Sequence, residues 1–162
     1  LLFNLMKYQR LTKEQLEEME PEFVNFLATQ SITADEWRKI KEDRPEVAEQ
    51  EIDLFSDLIW EGILSRVQYL EHIGPGHMHL FSLEEKEMKL IATRIHLPSI
   101  DITTKEGFEW FKMNYLSDQV EYMTASKAYS EDPNMDKFEL IRQGAVITKG
   151  ALFQWFEEII EI

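Results

Sequence analysis

Residues 66–95 read RVQYLEHIGPGHMHLFSLEEKEMKLIATRI, and this stretch decides the fold class. Arg66–Ile73 alternates, with Val67, Tyr69 and Ile73 on one side. Gly74-Pro75-Gly76 is a strong turn signal. His77–Leu83 is a second extended run, and Glu84-Glu85-Lys86-Glu87 is a polar connection. Met88–Ile95 is a third run, with Lys89, Ile91, Thr93 and Ile95 on one side and Met88, Leu90, Ala92 and Arg94 on the other. Three strands joined by short connections form an antiparallel meander.

Upstream the periodicity is helical. Thr12-Lys13-Glu14-Gln15 and Thr33-Ala34-Asp35-Glu36 are capping boxes, in which the first and fourth side chains satisfy each other's free backbone N–H groups. The first starts a helix toward Glu20 that Pro21 interrupts or restarts, and the second starts a helix carrying Trp37 and Ile40. Pro45 suits the first position of a helix over residues 45–63. Its Val47, Ala48, Ile52, Leu54, Phe55, Leu58, Ile59 and Gly62 form a broad apolar arc, expected to pack in the core. Glu46, Glu49, Asp53, Asp57 and Glu61 form an acidic stripe, expected to be a solvated face.

Downstream, Thr103 or Thr104 caps a helix holding Phe108, Trp110, Phe111 and Tyr115. Val120–Tyr129 is a fourth strand, Asp136–Gln143 a short helix ended by Gly144, residues 145–148 are extended, and Lys149–Ile162 is a last helix. The expected fold is therefore α+β: N-terminal helices, a three- to four-stranded antiparallel meander, and C-terminal helices packed on one face. No repeat and no Gly/Ser linker divides the 162 residues, so one domain over 1–162 is expected. Met6 is an alternative start, which makes residues 1–5 an N-terminal extension.

Charge and composition bound the function. The net charge is −14, carried by residues 11–62 and 98–162, while 63–97 is balanced. No cluster of Lys and Arg is free of interspersed acids, so neither nucleic acid nor an anionic membrane surface is an expected partner. No run approaches the ~20 apolar residues of a membrane span. The chain has no Cys, which removes disulfides, thiol nucleophiles and Cys-held metals and fits a cytoplasmic setting. Phosphate-cradling glycine loops, the G-x-S-x-G elbow and H-E-x-x-H are all missing, so no catalytic residue and no cofactor is assigned.

Two places remain. His72, His77, His79 and His96 all lie in the balanced segment. His77 and His79 are two apart, which on a strand points both rings to one side, and His72 lies just across the turn. Imidazole is the commonest metal ligand, and three imidazoles can hold a divalent ion with one position open. His72, His77 and His79 thus form a candidate polar site, with Glu71 as a possible fourth ligand, and against it stands the plain reading of polar residues beside an exposed turn. The last helix carries Leu152, Phe153, Trp155, Phe156, Ile159, Ile160 and Ile162 around most of its circumference. That pattern fits burial, or a surface for a partner in which Phe153, Trp155 and Phe156 are the contacts.

MKYQRLTKE at 6–14, FLATQSITADEW at 26–37 and QGAVITKG at 143–150, as a set, resemble an uncharacterised family of small bacterial proteins, a domain of unknown function. The resemblance covers most of the chain from Met6 onward. It implies a bacterial, cytoplasmic setting and supplies no activity, ligand or catalytic residue; Leu1–Leu5 fall before the family's usual start. Two readings follow. The first is a non-enzymatic protein-interaction or assembly module that engages itself or another protein. The alternative is a small divalent-metal-binding protein or metal-dependent hydrolase built on His77, His79 and His72.

Overall fold

The computed structural model describes residues 6–160. The expected extension 1–5 and the last two residues of the expected C-terminal helix lie outside the described residues. The chain divides after Ser65 into two compact units.

The first unit is helical: α1 (Lys13–Glu18), α2 (Glu20–Thr29), α3 (Ala34–Asp43) and α4 (Pro45–Arg66). Both capping boxes form, Thr12 with Gln15 and Thr33 with Glu36. Pro21 restarts the chain in the first turn of α2. The core joins three helices through aromatic edges: Phe23 lies 5.2 Å from Trp37 and 5.0 Å from Phe55, and Phe26 lies 5.4 Å from Phe55. Phe55 is buried, as are Leu27, Ile40 and Ala48, while Phe23, Phe26 and Trp37 are half-buried.

Helix α4 differs from its expected solvation in an informative way. Leu54 and Leu58, placed on the apolar arc, are exposed, whereas Ser56 and Leu64 are buried. The acidic stripe is not free in solvent, because residues 7–11 run along it. Asp57 accepts the backbone N–H groups of Lys7 (2.6 Å) and Tyr8 (2.9 Å). Glu61 accepts the Tyr8 hydroxyl (2.9 Å), Arg10 donates to Asp53 (2.7 Å) and also pairs with Glu49, and the Leu11 N–H reaches Ser56 Oγ (3.1 Å). Carboxylates one turn apart repel weakly on a bare helix. Here they share a basic arm that offsets the repulsion. Burial, and then the Glu61 carboxylate, push the Tyr8 phenol up to about 12.

The second unit is α+β, as expected. Strands β1 (Tyr69–Gly74), β2 (His77–Leu83), β3 (Glu87–Ile95) and β4 (Val120–Ala128) form the meander. Strand β5 (Val146–Thr148) adds a fifth on the far edge, giving the antiparallel order β4-β3-β2-β1-β5. The helices are α5 (Lys105–Asn114), α6 (Pro133–Arg142) and α7 (Ala151–Ile159). One face of the sheet carries Met78, Leu80, Ile91, Ile95 and Val120 and packs on Phe111 of α5 and on Phe153 and Phe156 of α7. Helix α6 lies against the other face, where Leu140 and Ile141 pack with Leu70, Phe81, Leu83 and Met88. It begins earlier than its apolar pattern suggests, because Asp132 caps it and Pro133 supplies its first turn. Entry to α7 turns on Gly150 at φ 83°, where any side chain would also collide with the Tyr69 ring.

The Asp57 contacts should be measurable. Asp57→Ala removes the acceptor for two backbone donors of the arm, and the expected loss is about 1–2 kcal/mol in urea unfolding. A loss within ~0.5 kcal/mol, the usual size of a surface change, would show that the arm is not held there.

Candidate functional site

Antiparallel pairing fixes which side chains share a face. His72 sits directly opposite His79, and Gly74 sits opposite His77. His77 and His79 alternate past the buried Met78, so all three rings emerge on the face away from α5 and α7. The structure brings them together: ring centroids are 5.2 Å apart for His77–His79, 5.9 Å for His72–His77 and 6.3 Å for His72–His79. Gly144, at φ 119°, backs the His72 ring, and a side chain there would crowd it. None of the three rings makes a hydrogen bond or ion pair with a described residue.

Convergence of rings is not convergence of ligand atoms. Among the described residues no three His, Asp or Glu side chains are placed to hold a metal ion. Glu71 cannot complete a set, because it pairs with Leu80 and belongs to the opposite, core-facing side. What two of the rings, His77 and His79, do border is an open cavity of about 580 Å³. His77, His79, Arg94 and Glu121 line it with the apolar Ala92 and Met123. Arg94 lies opposite His77 on β2 and opposite Glu121 on β4, with no ion pair among the described residues. The nearest basic group to Glu121 is the exposed His96 ring, 3.5 Å away. Burial, and then the charges of His77 and His72, hold the His79 imidazole below its ordinary protonation range.

The aromatic candidates on α7 are placed differently from a partner surface. Phe153 is 2% exposed and Phe156 0%, both inside the core. Trp155, 38% exposed, stays at the rim, edge-on to Tyr115 at 4.9 Å. A helix apolar on nearly all sides is here a core helix with one aromatic at its margin.

A second surface comes from β4, which sequence reasoning treated only as a strand. It is one of the sheet's two outer strands, opposite β5, and seven of its nine residues are exposed. His96 donates to the Gln119 carbonyl at 2.8 Å and Tyr129 to the Lys86 carbonyl at 3.4 Å, one at each end of the same register. Bonded pairs alternate in an antiparallel ladder, so Glu121, Met123, Ala125 and Lys127 turn their backbone groups toward β3. Tyr122, Thr124 and Ser126 turn theirs outward, to the open edge. The strand is held firmly, since the Tyr122 hydroxyl donates to the Tyr115 carbonyl at 2.5 Å and its ring packs on Phe156.

Comparison with known proteins adds a family and no chemistry. A family model described as "Family of unknown function (DUF6495)" matches residues 6–161. No curated protein and no solved structure matches. No described helix is long and apolar enough to cross a membrane.

The lowered protonation of His79 has a thermodynamic sign. Above its unfolded-state value near 6.5 the ring is neutral in both states and costs nothing. As the pH falls through that value the unfolded chain takes up the proton first, so stability is lost on the acid side. Melting between about pH 7.5 and 5.5 should therefore show a steeper acid decline for the wild type than for His79→Gln. Parallel curves would mean that the ring titrates alike folded and unfolded.

Proposed function

The chain belongs to this family of unknown function, and we propose that it is a non-enzymatic assembly module of the bacterial cytoplasm which pairs with a second copy of itself along β4. The single observation that carries the reading is the open edge of a nine-residue strand whose charges are self-complementary. Long exposed edges are ready templates for another strand, and soluble proteins blunt them with charge, proline or bulges. Strand β4 has no proline, and its register against β3 runs unbroken from Val120 to Ala128.

An antiparallel twofold pairing centred on Thr124 places Glu121 opposite Lys127 of the second copy, twice over. Met123 then faces Ala125, and Tyr122 faces Ser126. The outward backbone groups of Tyr122, Thr124 and Ser126 meet as hydrogen-bonded pairs, which leaves Glu121 and Lys127 in the closer, non-bonded positions. Centring the axis on Glu121 or Lys127 instead sets like charges face to face, and the remaining centres leave both charges without an opposite. Cross-strand pairs of opposite charge stabilise a ladder and like charges opposite one another destabilise it. The acidic surplus elsewhere, −14 over the chain, works against any less specific self-association.

Charge reversal tests the pairing. The wild type should show concentration-dependent dimers in sedimentation equilibrium. Glu121→Lys alone and Lys127→Glu alone should each weaken the dimer by about tenfold or more. An equimolar mixture of the two variants should pair again, because each supplies the charge the other lacks. A wild type that stays monomeric throughout, or dimers indifferent to both reversals, would overturn the reading.

A further inference from the structure

We propose that the groove beside His77, His79 and Arg94 binds a small organic acid, its carboxylate held by the imidazoles and the guanidinium and its apolar part laid on Ala92 and Met123. The groove lies on the face of the sheet, apart from the β4 backbone edge, and rests on different observations. Four side chains able to carry positive charge, His72, His77, His79 and Arg94, gather on one face of a strongly acidic chain. Neither the three rings nor Arg94 has a hydrogen bond or ion pair with a described residue, and His77, His79 and Arg94 line the open cavity while His72 stands behind them against Gly144. Arg presents a planar fork that matches a carboxylate, and a protonated imidazole adds a charged donor beside it.

The floor gives the ligand its organic part. Met123 is 58% exposed although it sits on a sheet face, and Ala92 next to it leaves a shallow apolar bed. The cavity of about 580 Å³ falls within the ordinary range for small-molecule sites. A metal ion fits less well, since the ligand atoms do not converge and Glu71 is on the wrong side. The charged groups around the rings are few. Arg94 comes from β3, Glu121, the one carboxylate among the cavity's lining residues, comes from β4 with the exposed His96 ring 3.5 Å away, and behind His72 stands the backbone of Gly144. An anion seated there favours the protonated rings, so binding takes up protons and strengthens as the pH falls.

The test is an NMR titration of the histidine ring signals with acetate, hexanoate and inorganic phosphate at constant ionic strength, near pH 6 and near pH 8. Hexanoate should shift His77 and His79 and bind roughly tenfold tighter at the lower pH. Acetate and phosphate should bind more weakly than hexanoate. Arg94→Gln, on the exposed rim, and His77→Gln should each lose most of the affinity while the amide spectrum stays that of the folded protein; should His77→Gln unfold, Arg94→Gln alone decides. Ring signals indifferent to hexanoate at both pH values would sink the proposal. Phosphate binding as tightly as hexanoate would remove the apolar half of it. Stoichiometric zinc binding that displaces hexanoate would reassign the rings to a metal.

Discussion

The register of β2 against its two neighbours is the constraint on which the second unit depends. A strand shows its side chains to alternate sides, and one step of slippage would exchange every one of them. With His79 opposite His72 and Leu80 opposite Ile91, the core receives Met78 and Leu80 while the rings are turned out. The same pairing sends Glu71 inward and Arg94 outward. The aromatic layer from α5 and α7 on the one side and α6 on the other then lock that choice. The candidate groove is thus a by-product of core packing, and needs no loop of its own.

Much of this was legible because local signals and global packing agree. Both capping boxes, the proline restarts at Pro21 and Pro45, the Gly74–Gly76 turn and the two-sided pattern of Met88–Ile95 each rest on a few neighbouring residues. Those are the features a sequence states directly. The gathering of the three rings was legible too, since an i, i+2 pair and a residue across a tight turn must meet if the turn forms. Sequence spacing could not say where their nitrogens aim, and that is what separates a metal site from an open groove.

The rest depended on partners distant in the chain. Glu49, Asp53, Asp57 and Glu61 read as a solvated stripe because their partners are not their neighbours in sequence; Lys7 and Arg10 lie some forty to fifty residues away. Leu54 and Leu58 lie on the apolar arc by period, yet are exposed, because tertiary packing and not periodicity decides which part of a broad arc is covered. On α7, period alone could not separate Phe153 and Phe156, turned inward, from Trp155 at the margin. The open edge of β4 was hidden for a related reason: which strand ends a sheet is a property of topology. The symmetry of Glu121 and Lys127 about Thr124 was in plain view, but it acquires meaning once that strand has no neighbour on one side.

The arm along α4 carries a consequence for the order in which the first unit assembles. Its contacts join residues 7–11 to residues 49–61, so they close a long loop, whereas the hydrogen bonds within each helix are local. Loop closure costs entropy before its contacts repay it. Four carboxylates and Ser56 must first be lined up on a finished helix before the arm has anything to grip. The arm's polar contacts thus wait on the helix that carries their acceptors, and because Tyr8 and Leu11 are buried, lifting the arm would also expose two core side chains.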